Sequence, residues 1–393
     1  MAYDLKTLLG GLSAQAFMRE HWQKQLRFIP QAVPGFTDLL TPEAMWRLAA
    51  SGDVESRLVI RDGKRWVMEH GPFARGQRAQ LPARNWTLLV QGLNLHVPAA
   101  DDWLRRFSFL PYARLDDVMV SLAAPGGGVG PHFDSYDVFL MQGMGKRRWR
   151  MSMQTDLALL PDAPLKILKR MRTDQTVDAV AGDLLYLPPQ VAHDGVAMQS
   201  ESEGFCTTYS VGFRAPTRQE IADGFLDWIG ATSEIDGRLG DPDLKASSHP
   251  ARIPASYQRE IAGAIAELAI GRDTIREFAG CFASEPKPHV AFDPPATKLA
   301  RAAFVRECSR ESSVVAFAAG TLCLYDDTFL FINGDAFIIR GDDAFWREFA
   351  DARRFRPSTA LPSLGEETVD ALYQWYCDGW LHVIHDHAVG QAS

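Results

Sequence analysis

The chain has 393 residues, of which 46% are hydrophobic and 23% charged, so it can bury a large core and wholesale disorder is excluded. A formal net charge of −8 argues against a protein whose main task is to hold nucleic-acid phosphates, although it would suit a basic protein partner. The five cysteines form no C-x-x-C pair, which indicates reduced thiols in a cytosolic compartment and no zinc site.

Nothing in the sequence predicts a membrane or secretory protein. No apolar stretch reaches the roughly 18 residues that a membrane helix needs. The opening residues MAYDLKTLLGGLSAQAF lack the apolar run and the cleavage pattern of a signal peptide. We therefore expect a cytoplasmic protein without membrane contact.

The first hundred residues are predicted to mix short helices with short strands. Ser13 and Thr41 are suitable helix N-caps, and Pro42 suits a first helical position. Asp62-Gly63 is a hairpin turn signal. The patterns predict helices at 13–22, 41–50 and 101–107 and strands at 25–29, 57–61, 65–69 and 86–91.

From 117 to 213 the chain is predicted to be mostly β-structure. Glycine- and proline-containing turns separate most of its short alternating runs, a pattern typical of a sandwich or barrel of the jelly-roll type. The predicted strands are 118–122, 130–134, 137–142, 147–151, 184–187, 191–195 and 206–213.

After Pro216 the pattern becomes largely helical and then mixed. Helices are predicted at 218–229, 255–270, 298–306, 342–355 and 366–379, and strands at 321–325, 328–332, 336–339 and 380–384. Helices with a small β-wing indicate a winged-helix-like module, which raises DNA binding as a rival function. Because the two last helices are not basic along one face, no direct nucleic-acid binding is expected.

A candidate metal site begins at His132 and Asp134. On a strand at 130–134 these two side chains would share one face, since alternate residues point the same way. His193, after the Pro188-Pro189 turn, is the candidate third ligand. Two histidines and one carboxylate form the facial triad of non-haem Fe(II) oxygenases, which leaves metal positions open for other ligands.

A basic strand follows the candidate ligands. Strand alternation places Arg147 and Trp149 on one face and Lys146, Arg148 and Arg150 on the other. One arginine pointing into a dry pocket could grip a dicarboxylate cosubstrate through two hydrogen bonds. The alternative is that all four basic residues point outward, and alternation alone does not decide between the two.

Four motifs resemble the bacterial ribosomal oxygenases of the Jumonji C class: G-P-H-x-D-x-Y-D-V-F, Q-G-x-G-x-R-R-W, G-D-x-L-Y-L-P-P-x-x-x-H and Y-S-V-G-F-R-A-P. Many Jumonji C enzymes carry a lysine in G-x-K-x-W on this strand to bind 2-oxoglutarate. This chain has Arg147 at that position, as the bacterial ribosomal group does. The resemblance implies Fe(II) as the metal, 2-oxoglutarate and O2 as cosubstrates, and Arg147 as the cosubstrate anchor.

The resemblance also implies the domain organisation. The fold would be α+β, with a Jumonji C oxygenase domain at 1–215 whose double-stranded β-helix (cupin) barrel spans about 117–213. A helical dimerisation or linker region would occupy 216–295 and a winged-helix-like domain 296–393. Because the middle helices pair two chains in that family, a homodimer is expected.

The implied activity is 2-oxoglutarate-dependent hydroxylation of an arginine in the large-subunit ribosomal protein numbered sixteen. A demethylase or another oxygenase on the same barrel, and an inactive barrel that only binds a partner, remain alternatives. Acidic and aromatic walls suit a cationic arginine, so Asp117, Met119 and Tyr136 are candidate substrate contacts. The alternative is that Asp116 and Asp117 form a turn and Tyr136 is part of the core.

Two smaller predictions complete the sequence interpretation. Thr208 and Ser210 could hydrogen-bond 2-oxoglutarate, although polar residues are also ordinary on a barrel strand. The three histidines of HVIHDH near the C-terminus, His382, His385 and His387, are predicted to form a mobile tail rather than a specific metal site.

Overall fold

The structure is a computed structural model that describes residues 4–74, 76–199, 204–242 and 244–385. The chain divides into two compact units, Met1–Ala215 and Pro216–Ser393. Within the described ranges, none of the helices has both the length and the apolar character needed to cross a membrane.

The first unit combines N-terminal helices with the predicted β-rich region. Its helices are α1 (Leu5–Leu8), α2 (Ala14–Glu20), α3 (Pro42–Ala49), α4 (Leu93–His96) and α5 (Pro98–Arg105). Its strands are β1 (Arg27–Ile29), β2 (Ser56–Asp62), β3 (Arg65–His70), β4 (Trp86–Val90), β5 (Leu115–Ala123), β6 (Val138–Gln142), β7 (Arg147–Ser152), β8 (Gln175–Ala179), β9 (Leu184–Leu187), β10 (Ala192–Ala197) and β11 (Cys206–Phe213).

Two predicted helix starts, at Ser13 and Thr41, are confirmed by their caps. The Ser13 hydroxyl accepts a hydrogen bond from the Ala16 amide at 3.2 Å, and the Thr41 hydroxyl accepts one from the Ala44 amide at 3.2 Å. Pro42 occupies the first turn of α3, where its missing N–H leaves no intrahelical bond unmade. Each cap contributes about 1 kcal/mol by satisfying an otherwise orphaned donor.

Two antiparallel sheets form the barrel of the first unit. The large sheet has the order β1-β9-β6-β11-β5-β4-β2-β3, and the small sheet has the order β10-β7-β8. The predicted jelly-roll architecture, a double-stranded β-helix, is therefore confirmed. Because neighbours such as β5 and β11 are distant in sequence, this order brings residues about 90 positions apart into register.

Alternate residues of β5 point to opposite sides of the large sheet. Val118 and Val120 belong to the core between that sheet and the N-terminal helices. Asp117, Met119 and Ser121 instead line a cavity on the side of the small sheet. One face of β5 is therefore apolar, and each side chain buried there contributes roughly 1.5–3 kcal/mol to stability. The other face lines the cavity and can hold functional side chains.

The small sheet closes the other side of this cavity. Trp149 and Met151 of β7 pack with Val138 and Leu140 of β6 in a second apolar cluster. Gly195 of β10 makes this packing possible, because a Cβ there would lie 2.4 Å from the Trp149 ring. Trp149 therefore belongs to the apolar contact between the two sheets and lies beside His193 of the candidate site.

The predicted strand at 130–134 is wrong. In this segment only His132 forms a bridge, an isolated one with His193. Gly130 adopts a left-handed φ of +81°, and Pro131 has no N–H to donate to a ladder. The segment is therefore an irregular connection, and His132 and Asp134 do not share a strand face.

The second unit contains helices and two small sheets. Its helices are α6 (Arg218–Thr232), α7 (Ala255–Ala266), α8 (Arg272–Ser284), α9 (Arg301–Cys308), α10 (Asp343–Ala352), α11 (Pro357–Ala360) and α12 (Glu366–Cys377). Its strands are β12 (Ser313–Phe317), β13 (Cys323–Tyr325), β14 (Phe329–Ile332), β15 (Asp335–Ile338), β16 (Arg354–Phe355) and β17 (Leu381–His385), paired in the orders β16-β12-β17 and β13-β14-β15. Its core is aromatic, with Phe304, Trp346, Phe349 and Trp375 buried together.

Two predictions in this unit are corrected. The helix predicted at 342–355 ends at Ala352, because Arg353 adopts a left-handed φ of +60°. The short strand β16 follows it. His382 and His385 do not form a mobile tail: both lie on β17, paired with β12, and His385 Nε2 lies 3.1 Å from Glu307 Oε1. His387 lies outside the described residues.

Candidate metal and cosubstrate site

The three candidate metal ligands converge on one point. His132, Asp134 and His193 each offer one ligand atom, and these atoms lie within 4.8 Å of one another. His193 Nε2 is 3.6 Å from Asp134 Oδ2. Adjacent ligands with bonds of about 2.1 Å to an octahedral metal stand roughly 3 Å apart, so a small contraction would close the site around an ion.

Backbone contacts orient both imidazoles toward that point. His132 Nδ1 lies 2.8 Å from the Gly130 carbonyl oxygen, and His193 Nδ1 lies 2.9 Å from that of Val191. Because a carbonyl only accepts, each Nδ1 carries the hydrogen and each Nε2 presents its lone pair. Two neutral imidazole nitrogens and one carboxylate are the donor set of non-haem Fe(II) sites, so the residues fit the metal.

The environment of His193 favours its neutral form. The residue is 2% exposed, and burial, followed by the neighbouring His132, lowers the pKa of His193 to about 4 although Asp134 acts in the opposite direction. A neutral imidazole is the form that binds metal. No proton therefore has to be displaced from Nε2 at neutral pH.

Arg147 points into the cavity and is 4% exposed. Its Nη1 donates to the Gly195 carbonyl at 3.2 Å, and its Nη2 donates to the Ser121 hydroxyl at 3.4 Å. Among the residues that the structure describes, its buried Nε has no hydrogen-bond partner. A buried guanidinium with a spare donor fits a carboxylate ligand, which accepts two parallel hydrogen bonds from it.

The alternative in which all four basic residues point outward is wrong, because Arg147 lines the cavity and only the other three pair with acidic residues outside it. Arg148 forms a two-pronged ion pair with Asp178 at 2.7 and 2.8 Å, and Lys146 joins it at 3.2 Å. The hydrogen bond from Arg148 lowers the pKa of Asp178 to about 2. Arg150 pairs with Asp194. Arg147 is therefore the basic side chain of this strand that lines the cavity.

The cavity has a volume of about 420 Å³, ample for a small cosubstrate and part of a side chain. It brings together all nine residues that the sequence singled out: His132, Asp134, His193, Arg147, Thr208, Ser210, Asp117, Met119 and Tyr136. The Thr208 hydroxyl already donates to Gln142 Oε1 at 3.2 Å. A carboxylate ligand would have to take over that hydrogen.

One wall of the cavity is acidic and aromatic. Asp117 lies on β5, not in a turn, and is 7% exposed. Tyr136 is not a core residue, because 41% of its surface is exposed. Partial burial, followed by the Asp134 carboxylate, raises the pKa of Tyr136 above its ordinary value, so its hydroxyl stays a neutral donor.

Sequence reasoning missed six polar residues that also line the cavity: Ser135 and Lys166, which lie outside the strands, and four others on or next to strands of the large sheet. The four are Arg57, Thr87, Gln91 and Ser121. Ser121 could have been found by alternation, because it lies two and four positions after Met119 and Asp117 on one strand. No local signal marks the other three, since only the sheet order brings β2 and β4 beside β5.

The barrel, the facial cluster and the buried arginine define a class of protein, the 2-oxoglutarate-dependent oxygenases. Comparison with known proteins agrees: residues 102–221 match a model described as a JmjC domain, and residues 264–382 match a ROXA-like winged helix. The expected winged-helix-like fold is thereby confirmed.

Comparison with individual proteins shows which family of these oxygenases the chain belongs to. The chain is 35% identical over 284 residues to the ribosomal protein uL16 3-hydroxylase of Escherichia coli (strain K12), covering 71% of this chain and 73% of that protein. It is 34% identical over 255 residues to a probable ribosomal oxygenase of Haemophilus influenzae, covering 63% and 59%. The chain belongs to the ribosomal oxygenases of the JmjC class.

A solved structure of a similar protein contains a metal ion and 2-oxoglutarate. The Escherichia coli ribosomal oxygenase YcfD in complex with cobalt and 2-oxoglutarate superposes with a TM-score of 0.79 at 27% identity, covering 95% of this chain and 98% of that one. The protein is a 2-oxoglutarate-dependent dioxygenase with Fe(II) as its metal, as the sequence predicted. The donor set of the His132 cluster and the buried Arg147 fit these two ligands.

Proposed function

We propose that this protein hydroxylates an arginine side chain of a ribosomal protein, the counterpart of uL16. The observation that carries the proposal is the wall formed by Asp117 and Tyr136 beside the metal cluster. A buried carboxylate can pair with a guanidinium, and an aromatic ring can lie against its planar face. Met119, on the same strand face as Asp117, would contact the methylene groups of the arginine.

Each part of the site has a proposed task. His132, Asp134 and His193 hold Fe(II), and Arg147 binds the distal carboxylate of 2-oxoglutarate with help from Thr208 and Ser210. When bound, the iron and 2-oxoglutarate supply the oxidising chemistry that places one oxygen atom on a C–H bond. The chain orients both reactants and excludes water, which the burial of Arg147 and His193 supports.

The test is incubation of the protein with Fe(II), 2-oxoglutarate, O2 and a peptide from the uL16 counterpart. We expect a mass gain of about 16 Da, one oxygen atom, on an arginine. A loss of about 14 Da from a methylated peptide would instead indicate demethylation. If neither arginine nor histidine in any ribosomal protein gains oxygen, the proposed substrate is wrong.

We also propose that the protein is a cytoplasmic homodimer, as its substrate and its middle helices imply. The second unit would comprise a dimerisation segment at 216–295 and the winged-helix domain at 296–393. Tyr257, Ile261 and Ile265 are spaced four residues apart on α7 and are all exposed. An apolar helical stripe of this kind is normally covered by a partner.

A further inference from the structure

Resting on the proposed function, we propose that Gln91 is a positioning residue for recognition of the substrate arginine. Its side-chain amide orients the Asp117 carboxylate toward the cavity, and Arg57 holds that amide in place. Gln91 directly follows β4, and its backbone N–H donates to the Glu55 carbonyl at 2.9 Å. The three side chains of this relay, Arg57, Gln91 and Asp117, all line the cavity.

The relay is a series of directed hydrogen bonds. Gln91 Nε2 donates to Asp117 Oδ2 at 2.5 Å, and the backbone N–H of Gly92 donates to the same oxygen at 3.2 Å. On its other side, Gln91 Oε1 accepts from Arg57 Nη2 at 3.3 Å. Two donors on one oxygen restrict rotation of the carboxylate and therefore the direction in which Asp117 can meet a ligand.

Only one orientation of the Gln91 amide fits its two neighbours. If the amide were flipped, its oxygen would face the Asp117 carboxylate, which only accepts, and its NH2 group would face the Arg57 guanidinium, which only donates. Both contacts would be repulsive. Arg57 therefore selects the orientation in which Gln91 donates to Asp117.

The intervening amide also stands where Arg57 would otherwise pair directly with Asp117. A direct ion pair between Arg57 and Asp117 would place a guanidinium where the substrate guanidinium has to bind. Because Gln91 stands between them, Arg57 stabilises the Asp117 carboxylate only indirectly. The repulsion between Arg57 and the substrate guanidinium is weaker at this larger distance. The relay thus favours a cationic side chain over a neutral one of the same shape.

The experiment compares peptide binding by the wild type and by Gln91→Met, which keeps the length of the side chain but has no amide. The protein is loaded with Mn(II) and 2-oxoglutarate without O2, and two peptides are titrated: one with the target arginine and one with citrulline, its neutral isostere, at that position. The matched control is Gln219→Met, which removes a Gln–Asp hydrogen bond of 2.8 Å on α6.

We expect Gln91→Met to weaken binding of the arginine peptide about tenfold, the usual effect of losing one hydrogen bond to a charged group. Binding of the citrulline peptide and of 2-oxoglutarate should change less than about twofold. Arg57→Met should weaken arginine binding about threefold, and the double variant should match Gln91→Met alone, because coupled residues are not additive.

The outcomes separate this inference from the function on which it rests. A wild type that binds both peptides equally would overturn the proposed arginine substrate and the relay with it. A wild type that prefers arginine, with a Gln91→Met variant that keeps the full preference, would overturn the relay alone. Equal losses for both peptides, or a matching loss for 2-oxoglutarate, would also reject it, because they indicate general damage to the cavity.

Discussion

The backbones of His132 and His193 exchange two hydrogen bonds, of 2.9 Å from the His132 amide and 2.8 Å from the His193 amide. Their ring centroids lie 4.2 Å apart. This single bridge replaces the predicted strand pairing, because it fixes the irregular segment to β10 at His132 and His193 themselves. The two candidate ligands are therefore placed relative to each other without a metal ion.

Replacing His132 with alanine should abolish turnover and leave the fold intact. The imidazole belongs to the polar cluster and not to an apolar core, so its loss should change stability little. We expect bound iron to fall to background in metal analysis and turnover to fall at least about 100-fold. His70→Ala, an exposed histidine on β3, should behave as the wild type. Near-normal activity of the His132 variant would mean that another residue is the ligand.

Arg147→Met should raise the KM for 2-oxoglutarate by about 100-fold or more, because a carboxylate would lose a two-pronged, charge-assisted partner. The KM of Arg147→Lys should lie between those of the wild type and Arg147→Met, because lysine keeps the positive charge but lacks the planar pair of donors. Arg148→Met provides the control, because that arginine pairs with Asp178 on the outer face of the same strand. Equal KM values for the two methionine variants would exclude Arg147 as the anchor.

Asp117→Ala should raise the KM for the ribosomal peptide about tenfold or more, because the substrate guanidinium would lose a buried partner. The KM for 2-oxoglutarate should not change. Initial rates of succinate formation measure both quantities, the first with peptide varied at saturating 2-oxoglutarate and the second with 2-oxoglutarate varied at saturating peptide. Unchanged peptide affinity would reject the proposed role of Asp117.

Asp178 should make stability depend on pH in the acidic range. Its folded-state pKa, about 2 because of Arg148, lies below the ordinary value near 3.9. The unfolded chain therefore binds a proton more readily, so the stabilisation is complete above about pH 5 and disappears as the pH falls toward 2. At pH 7, Asp178→Asn should lower the unfolding free energy by about 1 kcal/mol, allowing for solvent screening. Denaturant unfolding should show no such difference near pH 2.

The double variant Ile261→Glu and Ile265→Glu should be monomeric at micromolar concentration, because two charges would enter the apolar stripe of α7. Sedimentation velocity measures the change. The control is Ile338→Glu, an equally exposed isoleucine on β15, which should remain dimeric. A wild type that sediments only as a monomer would refute the proposed homodimer.

Local patterns predicted much of the barrel. The strand predicted at 206–213 coincides with β11, because turns bound an unbroken run of buried residues. The strand predicted at 130–134 does not form, because Gly130 adopts a left-handed φ and Pro131 has no N–H to donate. The alternation of His132 and Asp134 gave no sign of this. The strand β12 (Ser313–Phe317) was missed, because a short apolar run gives no clear period.

The residues of the site also differ in whether a local sequence pattern identifies them. The metal cluster and Arg147 lie in motifs that resemble the ribosomal oxygenases, and that resemblance grouped them in one site. Strand alternation alone did not decide whether Arg147 points inward. Gln91 and Arg57 lie in no such motif, and their contacts with Asp117 depend on the order of β2, β4 and β5 in the large sheet. Which strands become neighbours is a tertiary property that no local pattern contains.

The burial of Arg147 has a kinetic consequence. Arg147 is 4% exposed, whereas Tyr136 on the proposed peptide wall is 41% exposed. A polypeptide held against Tyr136 would obstruct the route to Arg147, so the small cosubstrate has to arrive first and its spent form has to leave last. We therefore expect a compulsory order of addition, in which excess polypeptide added before 2-oxoglutarate traps an unproductive complex and slows turnover.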